Sequence, residues 1–122
     1  MNDKLKTLRT AVNQALNTLS AAAERFPWKD KQAYAMWLAQ TYYFVNHTTV
    51  LLALSAAKQG VANKAAHRET LKHLKEETGH DILAQNDLKA LGVKLAELPE
   101  LLETSVFYQS QYYWIDRFGP LA

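Results

Sequence analysis

Apolar positions recur at helical spacing along almost the whole chain. Leu5, Leu8, Ala11, Val12, Ala15, Leu16, Leu19 and Ala23 form one stripe at about 100° per residue. This predicts a first helix over about 3–25, capped by Asp3 and closed by Arg25-Phe26-Pro27, because proline disfavours a helical residue before it. A second helix is expected over about 30–58, ended by Gln59-Gly60, and a third over about 63–91, ended by Gly92. Gly79 inside the third costs about 1 kcal/mol against alanine, so it marks either tolerance or close packing. After a short connector, Leu98-Pro99-Glu100 opens a fourth helix running to about 117, and Phe118-Gly119-Pro120 breaks it. Val50-Leu51-Leu52-Ala53-Leu54 is strand-like alone but lies inside the second helical pattern. The reading is all-α, an up-down bundle of four main helices in a single domain over 1–122.

Polar residues on the apolar stripes carry the chemistry. With Glu77 at the centre of its wheel, Ala66, Thr70, Leu74, Ala84, Leu88 and Leu91 share its stripe. His73 and Asp81 fall within about 40° of it and His80 within about 60°. A carboxylate on a buried face costs several kcal/mol unless it is paired, hydrogen-bonded or metal-bound. Glu77-x-x-His80 sets an oxygen and a nitrogen donor side by side, the spacing used in helical di-iron bundles. The plain alternative is a hydrogen-bonded polar pair in the core. On the second helix, His47 shares a face with Met36, Gln40, Tyr43, Leu51 and Leu54. Helices two and three should pack antiparallel about the turn near 61, which sets His47, about 14 residues back, near the level of Glu77, about 16 residues on. His47 is therefore expected beside the Glu77/His80 pair, the candidate metal ligands being His47, Glu77, His80 and Asp81, with Asp81 either a ligand or orienting His80, and Tyr43 and His73 bordering the site as cofactor contacts.

Composition narrows the function classes. At 122 residues the chain suits one core, and 48% hydrophobic with 21% charged residues is ordinary for a globular protein. There is no cysteine, hence no disulfide, thiolate site or cysteine nucleophile, in keeping with a cytoplasmic location. A net charge of +2 with interspersed signs argues against nucleic acid, and no apolar run reaches the ~18 residues of a membrane span.

Two stretches carry a resemblance to a known family. Tyr42-Tyr43-Phe44-Val45-x-His47 followed by Leu51-Leu52-Ala53-Leu54 resembles the second core helix of the haem-oxygenase-like superfamily. His73-Leu74-x-Glu76-Glu77-x-Gly79-His80-Asp81-x-Leu83-Ala84-x-x-Asp87-Leu88-Lys89-x-Leu91-Gly92 resembles its third. The nearest branch is the iron-containing redox enzymes, or haem-oxygenase-like di-iron oxidases, related to the TENA-like proteins. The resemblance implies that Glu77 and His80 bind iron, with His47 where characterised oxidases usually carry a glutamate. Such proteins continue past the Gly-Pro into helices that supply a further glutamate and an aspartate–histidine pair, which this sequence lacks. Only the front half is matched, so one copy is not expected to assemble a complete di-iron site. The absent cysteine also counts against TENA-type thiaminase chemistry.

Three functions follow as expectations. One is an iron-dependent oxidase of a small organic substrate, using His47, Glu77 and His80. The second is a haem-binding protein with His47 or His80 as axial ligand. The third is a noncatalytic interaction module retaining a relic of the site. Helix two is apolar nearly all round, and helix four adds Val106, Phe107, Tyr108, Tyr112, Tyr113, Trp114 and Ile115. So much apolar surface in a short chain predicts a homodimer.

Overall fold

The computed structural model describes residues 3–120 and is all-α, with no strand among them. Its elements are α1 (Asp3–Arg25), α2 (Lys31–Val45), α3 (Thr48–Gln59), α4 (Lys64–Glu77), α5 (His80–Ala90), one 3₁₀ turn (Leu95–Glu97) and α6 (Leu102–Phe118). They form two compact units, divided after Asp30.

The first unit is α1 and the turn that follows it. Thr7, Thr10 and Thr18 each donate a hydroxyl to the carbonyl four residues back, at 3.0 Å. Beyond Arg25 the chain folds back on the helix end: the Trp28 indole N–H donates to the Ala23 carbonyl at 2.7 Å, and its ring lies 4.5 Å from that of Phe26. The apolar stripe of α1 is present as read, but no residue of the helix is buried.

The second unit is built on an antiparallel pair in which α3 packs along α4 and α2 along α5. Both long helices expected from periodicity are interrupted, and at matching levels. Asn46, His47, Thr48 and Thr49 are weak helix formers in a row. There the ladder tightens, with His47 N–H donating to Phe44 O at 3.0 Å, before α3 restarts with Leu51 N–H on His47 O at 2.9 Å. On the partner, Thr78 is extended and Gly79 takes a left-handed φ of 91°, which an L side chain adopts only at a cost of about 1–2 kcal/mol. Gly79 is thus a helix stop, not a tolerated interior glycine. Between α3 and α4, Asn63 caps the new helix by accepting from Ala66 N–H at 3.2 Å.

The core is small. Ala35, Leu38, Ala39 and Leu88 are buried together, ringed by Tyr34, Tyr43, Leu91, Val93, Leu95 and Leu98. Ala35 and Ala39, one turn apart, keep the α2 surface low where Leu88 of α5 meets it. The α3–α4 half relies more on polar links: Thr70 donates to the Gln59 side chain at 3.0 Å, and His67 Nδ1 lies 2.7 Å from the Ala56 carbonyl.

Helix α6 lies across α2 and α3. It starts at Leu102, later than expected, because Leu98 to Leu101 are held extended by α2. Tyr43 donates its hydroxyl to Leu98 O at 2.9 Å, and Gln40 Nε2 donates to Pro99 O at 2.9 Å. Gln40 Oε1 in turn accepts from Leu101 N–H at 2.9 Å and Thr104 Oγ1 at 2.8 Å, acting as a cap supplied by a neighbouring helix. Lys58 pairs with Asp116 at 2.9 Å toward the other end.

Candidate functional site

The α4–α5 break gathers three of the residues singled out by spacing. Glu77 is the last residue of α4 and His80 the first of α5, so the stop at Gly79 brings their side chains together across the gap. His80 Nδ1 lies 2.9 Å from one Glu77 carboxylate oxygen and His73 Nε2 lies 3.2 Å from the other. Both oxygens are thereby engaged. The hydrogen bond from His80 holds the Glu77 carboxyl below its ordinary pKa, against the smaller opposing effect of burial, and His73 adds to the lowering.

This row sits at the rim, not in the core. The Glu77 side chain is 24% exposed, while His73 and His80 are 56% and 46% exposed. Beside it an open groove of about 350 Å³ is lined by Glu69, Thr70, Lys72, His73 and Glu76. Asp81 is half-buried and its side chain makes no hydrogen bond or ion pair among the described residues, so the orientation of His80 comes from Glu77.

His47 goes elsewhere. Its ring stacks on Tyr108 at 3.8 Å with the planes 13° apart, and its Nδ1 lies 3.1 Å from the Tyr112 hydroxyl. Tyr108 and Tyr112 are one turn apart on α6 and clasp the imidazole at the α2–α3 break. The Tyr108 hydroxyl is pushed above its usual pKa chiefly by the Glu100 carboxylate, and Tyr112 is pushed up by burial. Tyr43, expected as a cofactor contact, spends its hydroxyl on Leu98. The fold therefore joins His73, Glu77 and His80, and it ties His47 to α6. The i, i+4 repeat of Tyr108 and Tyr112 was the sequence signal for that clasp, but nothing in the spacing ties it to His47.

As ligands, one carboxylate and two imidazoles suit a divalent transition metal such as iron(II). Here they stand in a row with Glu77 in the middle. Among the described residues no three His, Asp or Glu side chains converge so as to hold a metal ion. One copy of the described chain does not fit a complete iron site, and no reaction step is derived through one. Nor is any described helix long and apolar enough to cross a membrane. No family model, no curated protein and no solved structure matches the chain.

Proposed function

We propose that this protein works by association: it is a cytoplasmic helical module that pairs with a second copy of itself. The observation that carries the reading is that neither α1 nor α6 has a single buried residue, although both are rich in large apolar side chains. Leu8, Leu19, Leu102, Tyr113 and Trp114 are each more than half exposed. Exposed apolar faces of this kind mark interaction sites, and helices in proteins take most of their stability from packing an amphipathic face. Light scattering at micromolar concentration should give about twice the 13.8 kDa chain mass. A fully soluble protein at the single-chain mass would end the proposal.

A second reading follows the haem-oxygenase-like resemblance. In it, Glu77 and His80, aided by His73, supply part of an iron site that a second chain completes, and the assembly oxidises a small organic substrate. Support comes from the Glu77 carboxylate, whose two oxygens already face the imidazole nitrogens of His73 and His80. Iron(II) titration should show uptake that Glu77→Ala abolishes while far-UV circular dichroism stays unchanged. Equal uptake by the variant would remove this reading, and a Soret band in the purified protein would replace iron with haem.

A further inference from the structure

Among the described residues two polar side chains are buried, Ser55 at 9% exposure and Gln59 at 8%. They lie one turn apart on α3. Both line a groove between that helix and the last turns of α6, where two adjoining cavities of about 310 and 350 Å³ share Gly119 and Pro120 as a wall. Such volumes stand at the small end of the range for ligand sites. Ser55 lines the first cavity with Trp114 and Ile115, and Gln59 lines the second with Asn63 and Phe118. The Trp114 and Phe118 rings lie 4.7 Å apart and are both half-exposed.

The free polar groups of this groove are donors. Asn63 Oδ1 accepts from Ala66 N–H at 3.2 Å and Gln59 Oε1 accepts from Thr70 at 3.0 Å, so each amide has its N–H groups left for another partner. The Ser55 hydroxyl has no hydrogen-bond partner among the described residues. No side-chain polar atom among them is both sealed and unpaired, so this hydroxyl keeps an opening, and the groove is what Ser55 lines. A hydroxyl left unmet at so buried a position is unfavourable, and an acceptor on a ligand removes the penalty. The walls are aromatic. Both α3 and α6 end at the groove, and the carbonyl ends of helices disfavour an anion. Lys58, the one cation among the described lining residues, is already held by Asp116 at 2.9 Å. We infer that the groove binds an uncharged planar aromatic compound whose carbonyl oxygens accept hydrogen bonds, of the lactam or imide class. The ring packs on Trp114 while its carbonyls accept from Ser55 and Gln59. The site lies within one chain, so the inference does not rest on the self-association proposed above.

N-methylphthalimide is the probe, a neutral planar bicycle with two carbonyl acceptors and no donor. Amide correlation NMR spectra of the full chain should show the side-chain N–H groups of Gln59 and Asn63 and the indole N–H of Trp114 shifting together and saturably. N-methylindole has a bicycle of the same size without the carbonyls, and phthalate is a related ring with two negative charges. Each should bind about tenfold more weakly, or not at all. Ser55→Ala should weaken the probe about three- to tenfold, the worth of one hydrogen bond. Its urea midpoint should stay at or above that of the wild type, because the hydroxyl has no partner within the described chain to lose. Trp114→Ala, at a half-exposed position, should weaken the probe about tenfold. The absence of a saturable shift at the three reporter groups overturns the inference. So does equal binding of N-methylindole, or unchanged affinity in Ser55→Ala. A Ser55→Ala protein that unfolds at lower urea shows that the hydroxyl serves the fold, and this too overturns it. Molecular mass measured alongside reads self-association separately.

Discussion

Leu88→Ala should destabilise the second unit by about 2–5 kcal/mol, the range for removing a buried leucine when the cavity cannot close. Leu88 is 1% exposed and is the largest side chain buried so completely. Its neighbours offer little means of collapse. Ala35 and Ala39 have no side chain to swing inward, and Leu38 is itself 3% exposed and committed. A domain of this size has about 5–15 kcal/mol to lose, so the variant forfeits a large share of its stability. Each kcal/mol should lower the melting temperature by about 4–8 °C in a unit of roughly this length. Thermal unfolding followed at 222 nm will read the change. A shift of no more than a degree or two would mean that the α2–α5 contact is not the centre of the fold.

Gln40→Ala should cost about 2 kcal/mol and loosen the start of α6 ahead of the rest. One amide serves three groups from the connector and the new helix: it donates to Pro99 O and accepts from Leu101 N–H and Thr104 Oγ1. Truncation leaves all three without a protein partner. Leu101 is exposed, so water replaces part of the loss, which keeps the expected cost below that of three fully buried vacancies. Gln40→Glu separates the two roles. A carboxylate still accepts from Leu101 and Thr104 but cannot donate to Pro99, so it should fall between the wild type and alanine. Urea unfolding of the three proteins gives the order. Equal midpoints for the wild type and Gln40→Ala would show that α6 is held by its apolar contacts alone.

Helical periodicity made the all-α architecture and the antiparallel packing legible, because it reports which positions face inward. It does not report whether the hydrogen-bond ladder is continuous. The breaks at Asn46-His47 and Thr78-Gly79 therefore escaped it, although weak helix formers at the first and a glycine at the second were in plain view. The same limit hid the late start of α6, which depends on Gln40 and Tyr43 reaching across from α2. Near-neighbour spacing was enough to pair His73 with Glu77, four apart on one helix, but His80 meets Glu77 across the Gly79 stop and not along a helix. His47 was placed on an inward face correctly, yet its hydrogen-bond partner lies 65 residues away. Level along a helix pair could not decide between the α4–α5 side and the α6 side.

The matched interruptions of the two long helices bear on how the molecule opens. A continuous pair would fray from its ends, but here each strand of the pair has a ready-made end in the middle. The second unit is thereby divided into an α2–α5 half, which holds the whole core cluster, and an α3–α4 hairpin secured by Leu51, Ala56 and a few polar links. The hairpin can unlatch while the other half keeps its core. Cooperative units of this kind differ in opening free energy. Backbone amides of α3 and α4 should then exchange with deuterium in one tier and those of α2 and α5 in a slower one. The boundary between the tiers falls at His47 and Gly79, so the residues gathered at the breaks sit on the seam between an early-opening and a late-opening part.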